Sequence, residues 1–368
     1  MLLTFTINAQ DIKLGAERTK SYIPLISENN IAVVGNQTSM INNTHLVDTL
    51  LSLGIEIRKV FAPEHGFRGE SDAGAEIKDT IDMKTGIPII SIYGKNKKPN
   101  SEQLEGINTI LFDIQDVGAR FYTYISTLHY IMESAAENNI NVIVLDRPNP
   151  NGHYIDGPIR KDGFASFVGM HPIPIVHGMT IGEYAKMIIG EKWISKRCDL
   201  TVIKMENYNH NISYDPPIKP SPNLPNSRAI NLYPSLCLFE GTNVSVGRGT
   251  NYPFQHFGSP YLEQKKYSFI PKSREGSRYP KHENKICFGT DLRFQDNYLT
   301  EINLNWLIDA YQQSYEKEKF FNSFFDKLAG STTLRSQIIS GYTAKEIKAS
   351  WAKDLIEFKK TRSKYLLY

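Results

Sequence analysis

The first half of the chain alternates short apolar runs with segments of helical periodicity. Short segments rich in branched apolar residues predict strands at residues 31–35, 55–61, 88–93, 109–113 and 141–146. Apolar residues that recur at helical spacing predict helices at residues 44–53 and 122–139. Strands that alternate with helices in this way are typical of a parallel, doubly wound sheet, so we expect an α/β domain here.

The pattern is less regular in the second half, after the turn sequence Pro148-Asn-Pro-Asn-Gly152. Residues 200–205 fit a strand, and helical spacing predicts helices at residues 180–190, 306–315, 320–328 and 344–360. The first of these helices begins with a capping box formed by Thr180 and Glu183.

Two polar stretches in this half predict loops. Five prolines fall within residues 216–225, and residues 261–283 form a polar, proline-punctuated excursion that we expect to be exposed. We therefore divide the chain into an α/β domain at residues 21–155 and a smaller α+β domain with a helical C-terminus at residues 156–368.

Composition excludes several classes of protein. Hydrophobic residues make up 40% of the chain and charged residues 22%, which is enough apolar material for a core and excludes a disordered chain. The net charge of +3 is too balanced for a nucleic-acid binder, and no apolar stretch is long enough to span a bilayer. The three cysteines are far apart, so they predict isolated buried thiols rather than disulfides or a zinc site.

The first ten residues are apolar and end in small or polar residues before the charged Asp11. This pattern resembles the rear half of a secretory signal whose basic front end is missing, and a plain disordered terminus is the alternative. We assign residues 1–20 to a truncated signal or disordered N-terminus. On this basis we expect a periplasmic or secreted bacterial protein.

Polar and ionisable residues follow four of the predicted strands. The carboxyl ends of parallel strands share one edge of a sheet, and ligands bind in the crevice outside that edge. Any one of these residues could be an ordinary cap or turn, but together they favour a binding site. They are Asn36 to Thr38 after the first strand; Glu64, His65 and Arg68 after the second; Asp113, Gln115, Asp116 and Arg120 after the fourth; and Asp146, Arg147 and Asn149 after the fifth.

The sequence lacks the motifs of cofactor-dependent sites. The first strand is followed by Asn-Gln-Thr-Ser rather than by the glycine fingerprint of a dinucleotide site, and no P-loop or nucleophile elbow occurs. The histidines do not have the i, i+4 spacing of a helical zinc motif, and no pair of cysteines assists them. We expect no cofactor and no metal.

Glu64 lies in a glycine-flanked loop between two aromatic residues, Phe61 and Phe67. An apolar setting favours the protonated form of a carboxylic acid, which would suit Glu64 to act as a general acid. A salt bridge from Glu64 to His65 or Arg68 is an equally weighted alternative.

A second glutamate, Glu240, opens the glycine-rich stretch Glu240-Gly-Thr-Asn-Val-Ser-Val-Gly-Arg-Gly249. Asn243, Ser245 and Arg248 offer groups that suit a polyhydroxylated, acidic ligand, although a glycine-rich turn with a structural arginine is the alternative. Two carboxylates that face one cleft are what hydrolysis of a glycosidic bond requires. We therefore predict Glu64 and Glu240 as the catalytic pair, with Asp113 and Asp116 as reserves.

Four segments resemble the signature blocks of the NamZ (YbbC-like) exo-β-N-acetylmuramidase family. They are Phe61–Gly69, Phe112–Tyr124, Asp146–Gly152 and Glu240–Gly249, in that order along the chain. The resemblance implies a Rossmann-like domain joined to a smaller domain, with the active site in the cleft between them. It also implies release of β-1,4-linked N-acetylmuramic acid from the non-reducing end of peptidoglycan fragments, without a cofactor. One departure is Asn251, where many relatives are expected to carry Asp.

The resemblance places the family's motif glutamates at Glu64 and Glu240 and its motif arginines at Arg120, Arg147 and Arg248. N-acetylmuramic acid carries a lactyl carboxylate, which a planar guanidinium recognises well, so we expect Arg248 or Arg120 to bind it. The remaining predicted substrate contacts are His65, Arg68, Asp113, Gln115, Asp116, Tyr122, Asp146, Asn149, Asn223, Asn243 and Ser245.

Two other functions remain open at this point. One is a wall-binding module that holds muropeptides without cutting them. The other is a nucleotide-dependent oxidoreductase on the same fold, against which the missing glycine fingerprint argues.

Overall fold

The structure, a computed structural model, describes residues 11–68, 79–295 and 297–368. Its strands are β1 (Ile31–Gly35), β2 (Met40–Ile41), β3 (Thr44–His45), β4 (Ile57–Ala62), β5 (Thr80–Ile81), β6 (Pro88–Ser91), β7 (Thr109–Asp113), β8 (Asn141–Leu145), β9 (Leu200–Ile203), β10 (His256–Ser259), β11 (Ser268–Phe269) and β12 (Cys287–Asp291). Its helices are α1 (Thr19–Ile26), α2 (Leu46–Ser52), α3 (Tyr124–Glu137), α4 (Ile181–Gly190), α5 (Ser227–Leu236), α6 (Asn305–Gln313), α7 (Phe324–Ala329), α8 (Thr333–Ile339) and α9 (Ala344–Ser363).

Seven of these strands form the main sheet, in the order β5-β6-β4-β1-β7-β8-β9. Its neighbouring strands are parallel, except that β5 runs antiparallel to β6. Every residue of the central strand β1 is buried, because helices cover both faces of the sheet. Ala32 and Val34 pack with α3 and α4 on one face, and Ile31 and Val33 pack with α1 and α2 on the other.

The second half adds a three-stranded antiparallel sheet, in the order β10-β12-β11, and the helices α6 to α9. One continuous hydrophobic cluster runs from the α3 and α4 face of the main sheet into this half. At the junction, the rings of Phe121 and Tyr233 pack edge to face with their centroids 5.4 Å apart. The predicted fold class, a doubly wound α/β domain with a smaller α+β domain, is confirmed.

Several elements differ from the sequence prediction. The helices α1 and α5 were not predicted, because each contains a proline (Pro24 or Pro234), a residue that normally ends a helix. The strand β9 belongs to the main sheet, which therefore extends beyond residue 155, the predicted end of the α/β domain.

Within the predicted N-terminal segment, residues 11–20 pack against the sheet domain. The backbone N–H of Gly15 donates to the carbonyl oxygen of Asp146 (2.9 Å), and α1 begins at Thr19. Residues 1–10 lie outside the described residues, so the signal sequence and the export that it implies stay predictions.

Arg120 fastens the loop before α3 to the second half of the chain. Nη1 donates to the carbonyl oxygens of Pro158 and Ile173, and Nη2 donates to that of Leu328, each at 2.7 Å. The side chain is fully buried, and this burial lowers the pKa of Arg120 to about 9. Because backbone oxygens occupy its guanidinium, Arg120 is a structural residue rather than the substrate contact that the sequence predicts.

Replacing Arg120 by Met should strongly destabilise the protein, because three buried carbonyl oxygens lose their donors. We expect the free energy of unfolding in urea to fall by about 3–5 kcal/mol. Arg58→Met, at an exposed arginine of β4, is the control and should change it by less than about 0.5 kcal/mol. An unchanged urea midpoint for Arg120→Met would contradict this role.

Candidate active site

A pocket lies at the junction of the two halves. Loops that follow β4 and β7, the proline-rich loop, α5 and the glycine-rich segment all contribute to its wall. The lining residues are Glu64, His65, Phe121, Tyr122, Thr123, Ser221, Asn223, Leu224, Tyr233, Arg248 and Phe254. Five predicted site residues are among them: Glu64, His65, Tyr122, Asn223 and Arg248.

Glu64 is held by two tyrosines, Tyr93 and Tyr124. Tyr93 follows β6, the strand beside β4, and its hydroxyl donates to Oε1 of Glu64 (2.9 Å). The hydroxyl of Tyr124 donates to the backbone oxygen of Glu64 (3.4 Å) and accepts from Nδ2 of Asn36 (2.9 Å). His65, the next residue, has a left-handed backbone (φ 74°), which turns the chain sharply at this point. Tyr93 was not among the predicted site residues, because residues 88–93 were all assigned to a strand, whereas β6 ends at Ser91.

Arg248 is presented by two flanking glycines. Gly247 and Gly249 have φ values of 78° and 79°, a conformation that favours glycine. A Cβ atom at Gly247 would lie 2.1 Å from Nε2 of His256, and one at Gly249 would lie 2.6 Å from the carbonyl oxygen of Lys272. Substitution at either position would therefore move Arg248.

Arg248 joins the pocket to Glu240. Its Nε donates to Oε1 of Glu240 (2.9 Å), and its guanidinium carbon lies 5.0 Å from the centre of the Phe254 ring. Among the described residues, neither Nη atom of Arg248 has a hydrogen-bond acceptor. With 28% of its side chain exposed, Arg248 can offer both Nη groups to a ligand.

Glu240 lies behind Arg248 and is not part of the pocket lining. Burial raises the pKa of Glu240, but the charges of Arg248 and Lys281 outweigh this effect and leave it below its usual value. Glu240 is therefore held as an anion. Of the two predicted catalytic glutamates, Glu64 lines the pocket, whereas Glu240 contacts the pocket residue Arg248 from outside the lining.

Most of the other predicted site residues stabilise the fold. Asp113 and Arg147 form a buried ion pair, with Nε–Oδ1 at 2.5 Å and Nη2–Oδ2 at 2.9 Å. Asp146 accepts from the Thr180 hydroxyl, and from the backbone N–H of Gly182 at the start of α4, each at 2.8 Å. These groups satisfy one another, so we withdraw them as substrate contacts.

The amide and hydroxyl groups among them are also occupied or turned away from the pocket. Nε2 of Gln115 donates to the backbone oxygens of Asp116 and Pro148, and Nδ2 of Asn149 donates to that of Met179. Ser245 Oγ accepts from the N–H of Gly247 (3.2 Å). The polar side-chain atoms of Asn243 are buried without a hydrogen-bond partner among the described residues, and Asn243 does not line the pocket.

Arg68 also lies outside the pocket lining. Its Nη2 pairs with Oδ2 of Asp82 (2.7 Å) and Oδ1 of Asp48 (3.3 Å). The alternative in which Arg68 forms a salt bridge with Glu64 is therefore wrong.

The two halves match two family models. Residues 31–228 match the model described as exo-beta-N-acetylmuramidase NamZ, N-terminal, and residues 231–368 match the corresponding C-terminal model. The chain belongs to the NamZ exo-beta-N-acetylmuramidase family. This confirms the resemblance and the predicted enzyme class, and it favours a glycoside hydrolase over an oxidoreductase or a binding module.

Relatives of this NamZ family member span nearly the whole chain. It is 40% identical over 366 residues to the peptidoglycan beta-N-acetylmuramidase NamZ of Bacillus subtilis (strain 168), with 91% of this chain and 87% of the relative covered. A crystal structure of a DUF1343 family protein from Bacteroides fragilis NCTC 9343 is 46% identical, with a TM-score of 0.92 and coverage of 98% and 99%. A second DUF1343 structure from that strain is 29% identical, with a TM-score of 0.81 and coverage of 97% and 99%.

Among the described residues, no group of three or more His, Cys, Asp or Glu side chains is placed to hold a metal ion. No helix in the same ranges is both long and apolar enough to cross a membrane. Cys198, Cys237 and Cys287 are buried free thiols, as predicted.

Asp116 is buried behind the pocket wall of this NamZ family member. Its Oδ2 accepts from the N–H of Gly118 (2.7 Å), and its Oδ1 has no hydrogen-bond partner among the described residues. Burial raises the pKa of Asp116 to about 7. His177 Nε2 lies 4.0 Å away, but burial lowers the pKa of His177 to about 3, so the histidine is neutral at physiological pH. Ionisation of Asp116 therefore costs folding free energy, and Asp116 does not line the pocket.

Asp116→Asn should change how stability depends on pH. In the wild type the folded state holds an extra proton between the unfolded pKa near 3.8 and the folded pKa of about 7, so stability falls as pH rises through this window. Because Asn does not titrate, Asp116→Asn should remove this loss of stability, which we expect to be on the order of a few kcal/mol in the free energy of unfolding. Urea unfolding at pH 5 and pH 8 measures this difference. Asp162→Asn, at an exposed position, is the control, and an equal decline in Asp116→Asn and the wild type would contradict the assignment.

Proposed function

We propose that this protein is an exo-acting glycoside hydrolase. It releases terminal β-1,4-linked N-acetylmuramic acid from the non-reducing end of peptidoglycan fragments during cell-wall turnover. The observation that carries the proposal is the pocket itself, whose lining includes both Glu64 and Arg248, an arginine with open Nη groups. The Bacillus subtilis relative, whose name describes a peptidoglycan beta-N-acetylmuramidase, supports the substrate class.

The contacts favour a distinct role for each group. Glu64 is oriented by Tyr93 and lies in the pocket, so it is the catalytic acid that protonates the leaving oxygen. Arg248 binds the lactyl carboxylate through its two Nη groups. Glu240 orients Arg248 and remains the candidate for the second carboxylate of the reaction.

The family description, exo-beta-N-acetylmuramidase, supports action at a chain end, and the pocket lining supports binding of a sugar. Segments from both halves of the molecule line the pocket: Tyr122 from the first half, and Asn223, Tyr233 and Phe254 from the second. Aromatic and amide side chains of this kind pack against sugar rings and bind their hydroxyl and acetamido groups.

Glu64→Gln should abolish most of the activity on a natural substrate. We expect kcat on a disaccharide with terminal N-acetylmuramic acid to fall by about 100-fold or more, because Gln cannot protonate the leaving sugar. On a nitrophenyl muramide, kcat of Glu64→Gln should fall much less, since nitrophenolate leaves without protonation. Mass-resolved product analysis measures the first reaction and absorbance the second.

Glu56→Gln, an exposed glutamate one residue before β4, is the matched control and should retain full activity. A folded Glu64→Gln variant with near-full activity on the disaccharide would remove Glu64 from the catalytic role. A wild-type protein that releases no N-acetylmuramic acid from that disaccharide would overturn the proposed function.

Arg248→Leu should reduce the preference for muramic acid over glucosamine substrates. Loss of a charge-assisted, two-pronged contact should lower that preference by about 10- to 100-fold. The measurement is kcat/KM for the two matched nitrophenyl glycosides. Arg197→Leu, at an exposed arginine outside the pocket lining, serves as the control. An unchanged preference in Arg248→Leu would show that another group binds the carboxylate.

A further inference from the structure

Lys281 lies beneath the turn that carries Glu240. Its Nζ lies within hydrogen-bond distance of four backbone oxygens, those of Phe239 (3.1 Å), Glu240 (3.4 Å), Thr242 (2.6 Å) and Val244 (3.1 Å). These contacts join residues about 40 positions apart in the sequence. A cluster of carbonyl oxygens of this kind favours the charged ammonium form, which has three N–H donors and no acceptor.

Glu240 therefore interacts with two cations. Arg248 binds its carboxylate directly, and the charge of Lys281 acts on the same carboxylate from the turn. Without Lys281, the Arg248–Glu240 pair would carry no net charge. With Lys281, the group of three has a net charge of +1 beside a pocket in which Arg248 still has two unoccupied Nη groups.

We propose that Lys281 determines specificity from outside the pocket, because its charge keeps the Arg248–Glu240 pair net positive and so attractive to an acidic sugar. The inference rests on the proposed function and deepens it, since it concerns the carboxylate that distinguishes N-acetylmuramic acid from N-acetylglucosamine. Lys281 does not line the pocket, so it acts through Glu240 and Arg248 as a positioning residue.

A purely structural role would affect both sugars alike. Any donor that binds the four carbonyl oxygens could hold the turn, and the loss of such a donor would disturb the pocket for every ligand. A charge effect is selective, because Coulomb attraction acts on the ionised lactyl group and not on a neutral sugar. The ratio of the two affinities therefore separates the two roles.

The experiment is calorimetric titration of the full chain with free N-acetylmuramic acid and with N-acetylglucosamine. Lys281→Gln keeps an amide donor but removes the charge, and Lys281→Arg keeps the charge. We expect Lys281→Gln to weaken the muramic acid preference by about fivefold and Lys281→Arg to retain it. Lys285→Gln, at an exposed lysine four residues away, is the control and should match the wild type.

Two results would overturn the proposal. One is an unchanged ratio of affinities in Lys281→Gln, and the other is an equal loss of the ratio in Lys281→Gln and Lys281→Arg. The ratio does not depend on the fraction of folded protein, since both sugars are titrated into the same sample. Binding also does not require turnover, so a wild type that prefers muramic acid but cleaves nothing would refute the proposed function alone.

If Lys281→Gln does not fold, titration of the wild type at increasing pH still decides the matter. Burial lowers the pKa of Lys281 below its ordinary value of 10.5. Its neighbours titrate higher, since burial raises the pKa of Cys237 to about 12 and raises that of Tyr233 as well, while Glu240 raises the pKa of Arg248 against its burial. The muramic acid preference should therefore fall as the pH rises toward 10.5, and a constant preference up to that pH would overturn the proposal.

Discussion

The parallel ladder formed by β4, β1, β7 and β8 is the constraint on which the site depends. Because these strands run in one direction, their carboxyl ends and the polar residues that follow them collect at one edge of the sheet. Much of that edge is covered by the proline-rich loop, whose Pro220 oxygen accepts from Tyr122 and Gln37. Polar groups beneath such a cover require partners, since an unpaired buried group costs free energy, and Asp113 finds its partner in Arg147. At the end of β4, Glu64 lines the pocket together with residues of the same proline-rich loop.

The chemistry of the pocket is divided between the two halves of the molecule. The main sheet supplies Glu64 and the tyrosine that orients it, and the second half supplies Arg248 with its partner Glu240. Neither half forms the pocket alone, so its geometry depends on how firmly the halves are joined. The continuous core and the buried contacts of Arg120 provide that firm connection. A buried cation far from the reaction can thus matter for catalysis, because a displacement of about 1 Å between reacting groups is costly.

Our proposal of an acidic ligand rests on the charges around Arg248. An arginine that is already paired with a glutamate is a weaker attractor for a carboxylate, because the pair is neutral as a whole. The two flanking glycines orient the Arg248 guanidinium, whose Nη groups are open. The nearby Lys281 adds positive charge. Orientation and charge are thus supplied by different residues.

The layers of the main domain and several pocket residues could be predicted from the amino-acid pattern. Apolar runs specify strands such as β1 and β7, because a strand covered on both faces is largely apolar. Glu64 and Arg248 were identified because each is an ionisable residue close to glycines. Which polar residues stay open to a ligand, and which pair with one another, depends on contacts between distant parts of the chain. The contacts of Tyr93 and Lys281 span 29 and about 40 positions in the sequence. Such contacts form only when the strands pair and the loops pack, so no local sequence pattern encodes them.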